Sequence, residues 1–248
     1  MEVSEPLGLL LLFACGLLTG AINVLAGGGS FLTLPLLIFL GLPAIEANGT
    51  NRVGVVMQSI AAVGGFQRAG MMDWRWTLTV TVPALAGSAV GALAAFAVSD
   101  EAFQRILATL MVVLSLVSIA GRQPRPHGQE RPARSPLVLG GFFLVGFYVG
   151  FIQAGVGFLI LALTSWAGLD LTRGNAVKVL SVGLLSALAL VIFVARGTVD
   201  WPMGIALGLG NMVGALYGVR LAVLKGHAWV KGVVMATVVV FAVLLWLE

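Results

Sequence analysis

Residues 20–52 read GAINVLAGGGSFLTLPLLIFLGLPAIEANGTNR, and the order of events in this stretch decides the fold. An apolar run stops at Gly27, Gly28, Gly29 and Ser30. A short apolar run, Phe31 to Gly41, follows, and a polar cluster from Glu46 to Arg52 opens the next one. A bilayer-crossing helix needs about 20 apolar residues, so Phe31 to Gly41 is too short to cross alone. Consecutive glycines are where a helix breaks. The stretch therefore reads as a broken helix or a re-entrant hairpin. Such irregular backbone is tolerated at membrane depth only where protein or a water-filled cavity satisfies its polar groups.

The rest of the chain has the composition that this reading needs. Of 248 residues, 59% are hydrophobic and 10% charged, and the mean hydropathy is +1.06, against about 25% charged in soluble domains. The fold class is all-α, a polytopic integral membrane protein whose partner is the lipid bilayer. The sequence pI of about 9.8 does not point to nucleic acid, because the cations are spread over short loops as topology signals. Cys15 stands alone, which excludes an intrachain disulfide or a Cys-based metal site. Met1 to Pro6 carries Glu2 and Glu5 and no Lys or Arg, so the first apolar run is expected to be retained as a membrane segment.

The apolar runs fall into two sets. The first is Leu7 to Ala26, Phe31 to Gly41, Val53 to Phe66, Trp76 to Val98 and Phe103 to Gly121. The second is Leu137 to Ile152, Phe158 to Gly168, Val179 to Val194, Pro202 to Val219 and Trp229 to Leu247. Between them Arg122 to Pro136, rich in Arg and Pro, reads as an exposed linker. The expected organisation is a first transmembrane repeat at 1–121, a cytoplasmic linker at 122–136 and a second repeat at 137–248. A shift of 127 positions carries Gly70, Asp73 and Trp74 onto Gly197, Asp200 and Trp201. The same shift carries Gly28, Gly41, Asn48 and Ser59 onto Gly155, Gly168, Asn175 and Ser186. A Gly-x-x-Asp-Trp match in register with an Asn and a Ser argues for tandem duplication. Transporters are often built from such repeats, with the substrate site near the midplane between them.

Charge orients the repeats. The linker carries Arg122, Arg125, Arg131 and Arg134, which places it in the cytoplasm. With five segments per half, up to ten in all, the repeats are inverted. Arg68, Arg75, Arg173, Lys178, Arg220, Lys225 and Lys231 then lie inside, and Arg52, Arg105 and Arg196 outside. Four crossings per half would spread the cations over both sides, so the positive-inside bias favours inversion.

Candidate functional residues gather at the two glycine breaks. Gly27, Gly28, Gly29 and Ser30 expose backbone N–H groups and lead into a helix whose N-terminal dipole end is positive, which suits an anion. Gly155 and Gly157 repeat the feature in weaker form. Any one of these glycines can equally serve close helix packing. In register Asn51 faces Lys178, beside Asn48 and Asn175. Lys178, ahead of a long apolar stretch, must either snorkel to the interface or neutralise a partner. Arg52 reads as an interface anchor, with a substrate contact as the alternative. Asn23, Gln58, Gln153 and Asn211 are polar within apolar segments, each either an interhelical hydrogen bond or part of a pathway. Asn23 and Gln153 precede the two breaks and are expected to be equivalents if the halves differ by a small insertion.

Absences narrow the chemistry. Glu46, Asp73, Asp100, Glu101, Asp170 and Asp200 all sit at segment boundaries, so nothing suggests a midmembrane carboxylate relay. His127 and His227 are too few for a histidine metal centre, and no catalytic pair or phosphate-binding loop is visible. No enzyme activity, cofactor or metal is expected.

The run Gly16 to Arg52, with Gly20, Gly27 to Gly29, Pro35, Gly41, Pro43 and Ala47, Asn48, Gly49, Thr50, Asn51, resembles the sulfite exporter TauE/SafE family of membrane permeases. The likeness covers nearly the whole chain, since that family is also a tandem duplication of a hydrophobic half. The second half departs from it, with Ala176 and Val177 where a Gly-Thr pair would stand. The resemblance implies a multi-pass transporter of the bacterial inner membrane with about eight crossings, moving sulfite, sulfonates or other small organic anions. The expected mechanism is alternating access around a midplane pocket formed by the two breaks, with Thr50, Asn51 and Lys178 binding oxyanion oxygens. A homodimer is compatible with it. The rival reading, a non-transporting membrane scaffold, gives no reason for duplicated breaks with polar ends.

Overall fold

The computed structural model describes residues 5–25, 27–120 and 130–225. The linker residues 122–129 and the last apolar run, Trp229 to Leu247, lie outside the described residues. The described residues form α1 (Glu5–Leu25), α2 (Ser30–Phe39), α3 (Ala44–Arg68), α4 (Trp74–Ala95), α5 (Asp100–Ala120), α6 (Pro136–Phe151), α7 (Val156–Trp166), α8 (Leu171–Ala195) and α9 (Trp201–Lys225). Four of them, Pro6–Leu25, Trp74–Ala95, Leu171–Ala195 and Trp201–Ala222, are long and apolar enough to cross a bilayer. Outward-facing Ile60, Val82, Leu144 and Val191 are each 66–68% exposed, surface that only lipid can cover without penalty.

The Gly-x-x-Asp-Trp sequence shows why helix boundaries recur at the same spacing. Gly70 and Gly197, at φ of +68° and +69°, end α3 and α8 in the left-handed conformation that glycine adopts without strain. Three residues on, Asp73 Oδ1 accepts from the Trp76 N–H at 3.1 Å, and Asp200 Oδ1 from the Met203 N–H at 2.9 Å. Each carboxylate caps the first turn of the next helix and complements its dipole. Trp74 and Trp201, 41% and 48% exposed, stand at the position of interface anchors.

Contacts between helices give their directions. Gly210, Gly214 and Gly218 of α9 lie against Phe13, Leu17 and Ala21 of α1 in that order, so α1 and α9 run parallel. Gly146 and Gly150 of α6 lie against Ala84 and Ser88 of α4, which are parallel likewise. Small residues every fourth position let these backbones approach closely, the usual device for packing helices in lipid. At the centre, Gly183 of α8 meets Ser59 of α3, while Gly49 of α3 meets Phe193 near the other end of α8. α3 and α8 are therefore antiparallel. Since α8 (171–195) is α3 (44–68) shifted by 127 positions, corresponding helices of the two halves point in opposite directions, the inverted arrangement that charge counting predicts.

α2 and α7 have 10 and 11 residues, about 15 Å each, or half of a hydrocarbon core about 30 Å thick. They begin at the level of the middle of α3 and α8 and end at Gly41 and Gly168, both at positive φ.

Candidate functional site

The two breaks meet. A Cβ on Gly27 would strike the Cα of Gly157, and one on Gly157 would strike the Cα of Gly27. Phe31 and Phe158, equivalent under the 127 shift, stack at 6.4 Å, and Gly155 is packed under the Phe31 ring. The first turns of α2 and α7 thus converge on one buried place, where Phe31 and Leu32 donate to Gly28 O and Gly29 O, and Val156 and Phe158 to Gln153 O and Gly155 O.

A small cavity of about 20 Å3, room for about one water, lies between the breaks and the middles of α3 and α8. Gly27, Ser30, Val156 and Gly157 line it from the breaks, Val55, Gln58 and Ser59 from α3, and Lys178, Val179 and Val182 from α8. Asn23 and Gln153 complete the lining. Asn23 organises the first break: its Oδ1 accepts from the Gly29 N–H at 2.7 Å, and its Nδ2 donates to Gln58 Oε1 at 3.0 Å. Gln58 thereby keeps its NH2 end available as a donor. Gln153, the non-glycine residue at positive φ (64°), is held in that costly conformation by Nε2 donating to Ser186 Oγ at 2.7 Å. Gln153 Oε1 and Ser59 Oγ are buried without a hydrogen-bond partner. Asn23 lies inside α1 whereas Gln153 follows the end of α6, so the two are not equivalents. Only Gln153 takes the strained backbone of the break itself.

Lys178 does not snorkel. It is 3% exposed, and its Nζ donates to Val24 O at 2.9 Å and to Asn175 Oδ1 at 2.6 Å. Val24 is in the last turn of α1, where carbonyls lack intrahelical donors and the dipole end is negative. The ammonium thus caps α1 from the other half of the molecule while facing the cavity.

Arg52 corrects the expectation of an interface anchor. It is fully buried, with Nη1 donating to Val149 O at 3.0 Å and Nη2 to Gly150 O at 2.5 Å, and its guanidinium sits 4.7 Å from the centre of the Phe193 ring. Asn48 Nδ2 adds a bond to Phe151 O at 2.8 Å. Arg52 and Asn48 do for the end of α6 what Lys178 and Asn175 do for the end of α1. The available sequence signal was a cation at nearly the same depth on both central helices.

Not every expected residue reaches the cavity. Thr50 Oγ1 accepts from the Asp200 N–H at 2.9 Å, tying α3 to the start of α9. Asn51 Oδ1 accepts from Thr33 Oγ1 at 2.6 Å, tying α3 to α2. Gly28 and Gly29 are buried in the turn, and Asn175 acts through Lys178. The structure brings Gly27, Ser30, Gln153, Gly157 and Lys178 together, and adds Asn23, Gln58 and Ser59.

Inverted halves, half-length helices beginning at mid-depth and a cavity of mixed polar and apolar lining between them define a membrane transporter of the permease type. The chain belongs to the sulfite exporter TauE/SafE family, which matches residues 12–245. It is 30% identical over 237 residues to the probable membrane transporter protein ORF9 of a Sinorhizobium species, covering 94% of this chain and 90% of that one. It is 30% identical over 252 residues to the probable membrane transporter protein YfcA of Escherichia coli, covering 98% and 91%. A probable membrane transporter protein of Haemophilus influenzae is 28% identical over 233 residues, covering 92% and 90%. The protein is a multi-pass membrane transporter, not an enzyme.

Proposed function

We propose that this chain moves small sulfur-containing or organic anions, such as sulfite or sulfonates, across the bacterial inner membrane by alternating access around the cavity between the breaks. One observation carries the reading: the N-terminal ends of α2 and α7 and the ammonium of Lys178 converge on the same buried cavity. Two helix N-termini and a cation in low dielectric form an anion site. Ser30, Gln58 and Ser59 supply hydrogen-bond donors to the anion. Gly27 and Gly157 supply backbone proximity that any side chain would block. An inside-negative potential drives anion export by about 2.3 kcal/mol per charge per 100 mV, so export needs no coupled ion.

Replacing Lys178 by Gln tests this in proteoliposomes. Glutamine can still donate to Val24 O but carries no charge, so the half-saturating anion concentration should rise at least tenfold. Unchanged saturation kinetics would remove Lys178 from the site.

A further inference from the structure

The cavity between the breaks has room for about one water, so even a small oxyanion enters it only when the surrounding helices part. The contacts show which helices hold together, and they do not follow the two repeats. α9 of the second repeat packs along α1 and α3 of the first. Gly210 and Gly214 sit against Phe13 and Leu17, Gly208 against Met57, and Gly65 against Val219. Thr19 Oγ1 donates to Asn211 Oδ1 at 2.8 Å, and the Asp200 N–H donates to Thr50 Oγ1. α4 of the first repeat packs in the same way along α6 and α8 of the second. Gly146 and Gly150 meet Ala84 and Ser88, the Thr81 and Ser181 hydroxyls are 2.9 Å apart, and Ser88 Oγ donates to Leu185 O at 3.1 Å. α2 is tied to α3 through Thr33 and Asn51, and α7 lies on α8 through Thr164 and Gly174. Two four-helix bodies result: α1, α2, α3 and α9, and α4, α6, α7 and α8. α4 and α9, equivalent under the 127 shift, have changed places.

The bodies meet along α3 and α8, at the tips of the breaks, and through two cations. Arg52 of the first body donates to Val149 O and Gly150 O of the second, and Lys178 of the second donates to Val24 O of the first. α5 touches both, with Asp100 Oδ1 accepting from the Ile45 N–H and Phe103 lying against Phe151. Among the described residues the chain passes directly from one body to the other twice, at 69–73 between α3 and α4 and at 196–200 between α8 and α9. Because α3 and α8 are antiparallel, these passages lie at opposite faces of the membrane. Each carries the duplicated Gly-x-x-Asp-Trp sequence. Gly70 and Gly197 have positive φ, and an added Cβ would meet nothing within 4 Å. The backbone can turn there without striking a neighbour, as a hinge requires.

We infer that the parts that rock against each other in transport are these two crossed bodies, not the two repeats, with the Gly-x-x-Asp-Trp connectors as their hinges. This rests on the alternating-access reading above and names its moving parts.

The test uses helix pairs that share a body but belong to different repeats. Arg68 of α3 with Arg220 of α9, and Arg75 of α4 with Leu137 of α6, are exposed pairs of that kind at the linker-side face. Spin labels are placed on R68C/R220C and R75C/L137C, and on the crossing pairs R75C/R220C and R68C/L137C. The full chain, in a Cys15→Ala background, is measured in proteoliposomes by double electron–electron resonance. Two perturbations are applied: methanesulfonate or ethanesulfonate at high concentration, and K178A without added anion, which removes the bond from α8 to Val24 O. The anions should shift the crossing pairs by about 5 Å, the scale of one helical turn, and K178A should shift or widen them. The same-body pairs should keep their distances throughout. A shift in either same-body pair, or crossing pairs unmoved by both perturbations, would overturn the division into bodies. Efflux of the same anions from the same liposomes reports separately on the anion reading. Crossing pairs that respond to K178A, with no efflux of either anion, would keep the division and overturn that reading. If K178A does not fold, the anion arm decides on the same criteria.

Discussion

Replacing Arg52 by Ala should damage the protein far more than the loss of a membrane-interface cation would. The guanidinium is fully buried and serves two carbonyl oxygens, Val149 O and Gly150 O, in the last turn of α6. A hydrogen bond to a charged donor contributes about 1.5–3 kcal/mol, and a buried acceptor left unpaired costs about 1–3 kcal/mol. The volume vacated beside Phe193 adds to the loss. Together these give about 3–5 kcal/mol, the range for breaking a buried charged interaction by removing one partner. For a chain of this size that corresponds to a fall of roughly 6–20 °C in unfolding temperature. The assay is thermal unfolding of the purified protein in detergent at one fixed scan rate, since membrane proteins unfold irreversibly and the apparent midpoint depends on rate. Arg52→Lys should recover part of the loss, because an ammonium still carries the charge but cannot present a planar fork to two carbonyls at once. Arg105→Ala, at an exposed position on α5, should change the midpoint by no more than about a degree or two. If Arg52→Ala unfolded within that same margin, the account of Arg52 as the cap of α6 would be wrong.

Two further outcomes follow from the geometry. Gly27→Ala places a Cβ on the Gly157 backbone at a φ of +86°, whereas Gly70→Ala at φ +68° meets only open space. The second should cost about 1–2 kcal/mol of left-handed strain, and the first should cost more and abolish anion efflux. Equal effects of the two would argue against the contact between the breaks. At the surface, Arg173 bridges Asp73 at 2.6 Å and Glu130 at 2.8 Å. Partial burial pushes the Asp73 carboxyl up, but the Arg173 hydrogen bond, the Trp76 N–H and the Arg173 charge outweigh it and hold the group below the usual carboxylate range. A carboxylate with a lowered folded-state pKa stabilises above its unfolded value near 3.9 and loses that contribution as pH falls through the lowered value. Asp73→Asn keeps the cap on α4 and removes the charge, so it should unfold a few degrees below the parent at pH 7, with the gap closing towards pH 3. A gap independent of pH would show that the charge of Asp73 contributes nothing.

What the sequence discloses and what it conceals divide by range. Gly70, Asp73 and Trp74 could be read because each acts locally: a left-handed glycine ends one helix, a carboxylate caps the next, and an indole lies at its start. The half-length α2 and α7 could be read because a glycine break and a run too short to cross are both visible within twenty residues. Arg52 could not. In sequence it is a cation near the start of a helix, the usual signature of an interface, and the carbonyls that draw it inwards belong to Val149 and Gly150, 97 and 98 residues away. Thr50 was misassigned for the same reason, since the N–H that occupies its hydroxyl is that of Asp200, 150 residues on. No periodicity reports such partners.

The two buried cations also show where the symmetry of the halves stops. Arg52 on α3 caps α6, and Lys178 on α8 caps α1, so each central helix holds the broken first helix of the opposite half. Yet the position equivalent to Lys178 is Asn51, and the position equivalent to Arg52 is Val179. Val179 lines the cavity beside Lys178, so the position alone does not exclude Arg52; its bonds to Val149 O and Gly150 O turn it away. An anion in the cavity therefore competes with Val24 O for the protons of Lys178, while the bonds between Arg52 and α6 carry no such competition. Under the proposed function, anion binding would be coupled to the end of α1 and not to the end of α6. For this reason Lys178→Gln, which keeps a donor for Val24 O, should raise the half-saturating concentration with a small change in unfolding temperature, while Lys178→Ala should alter both. If the two variants behaved alike in both measurements, the double duty of the ammonium would be disproved.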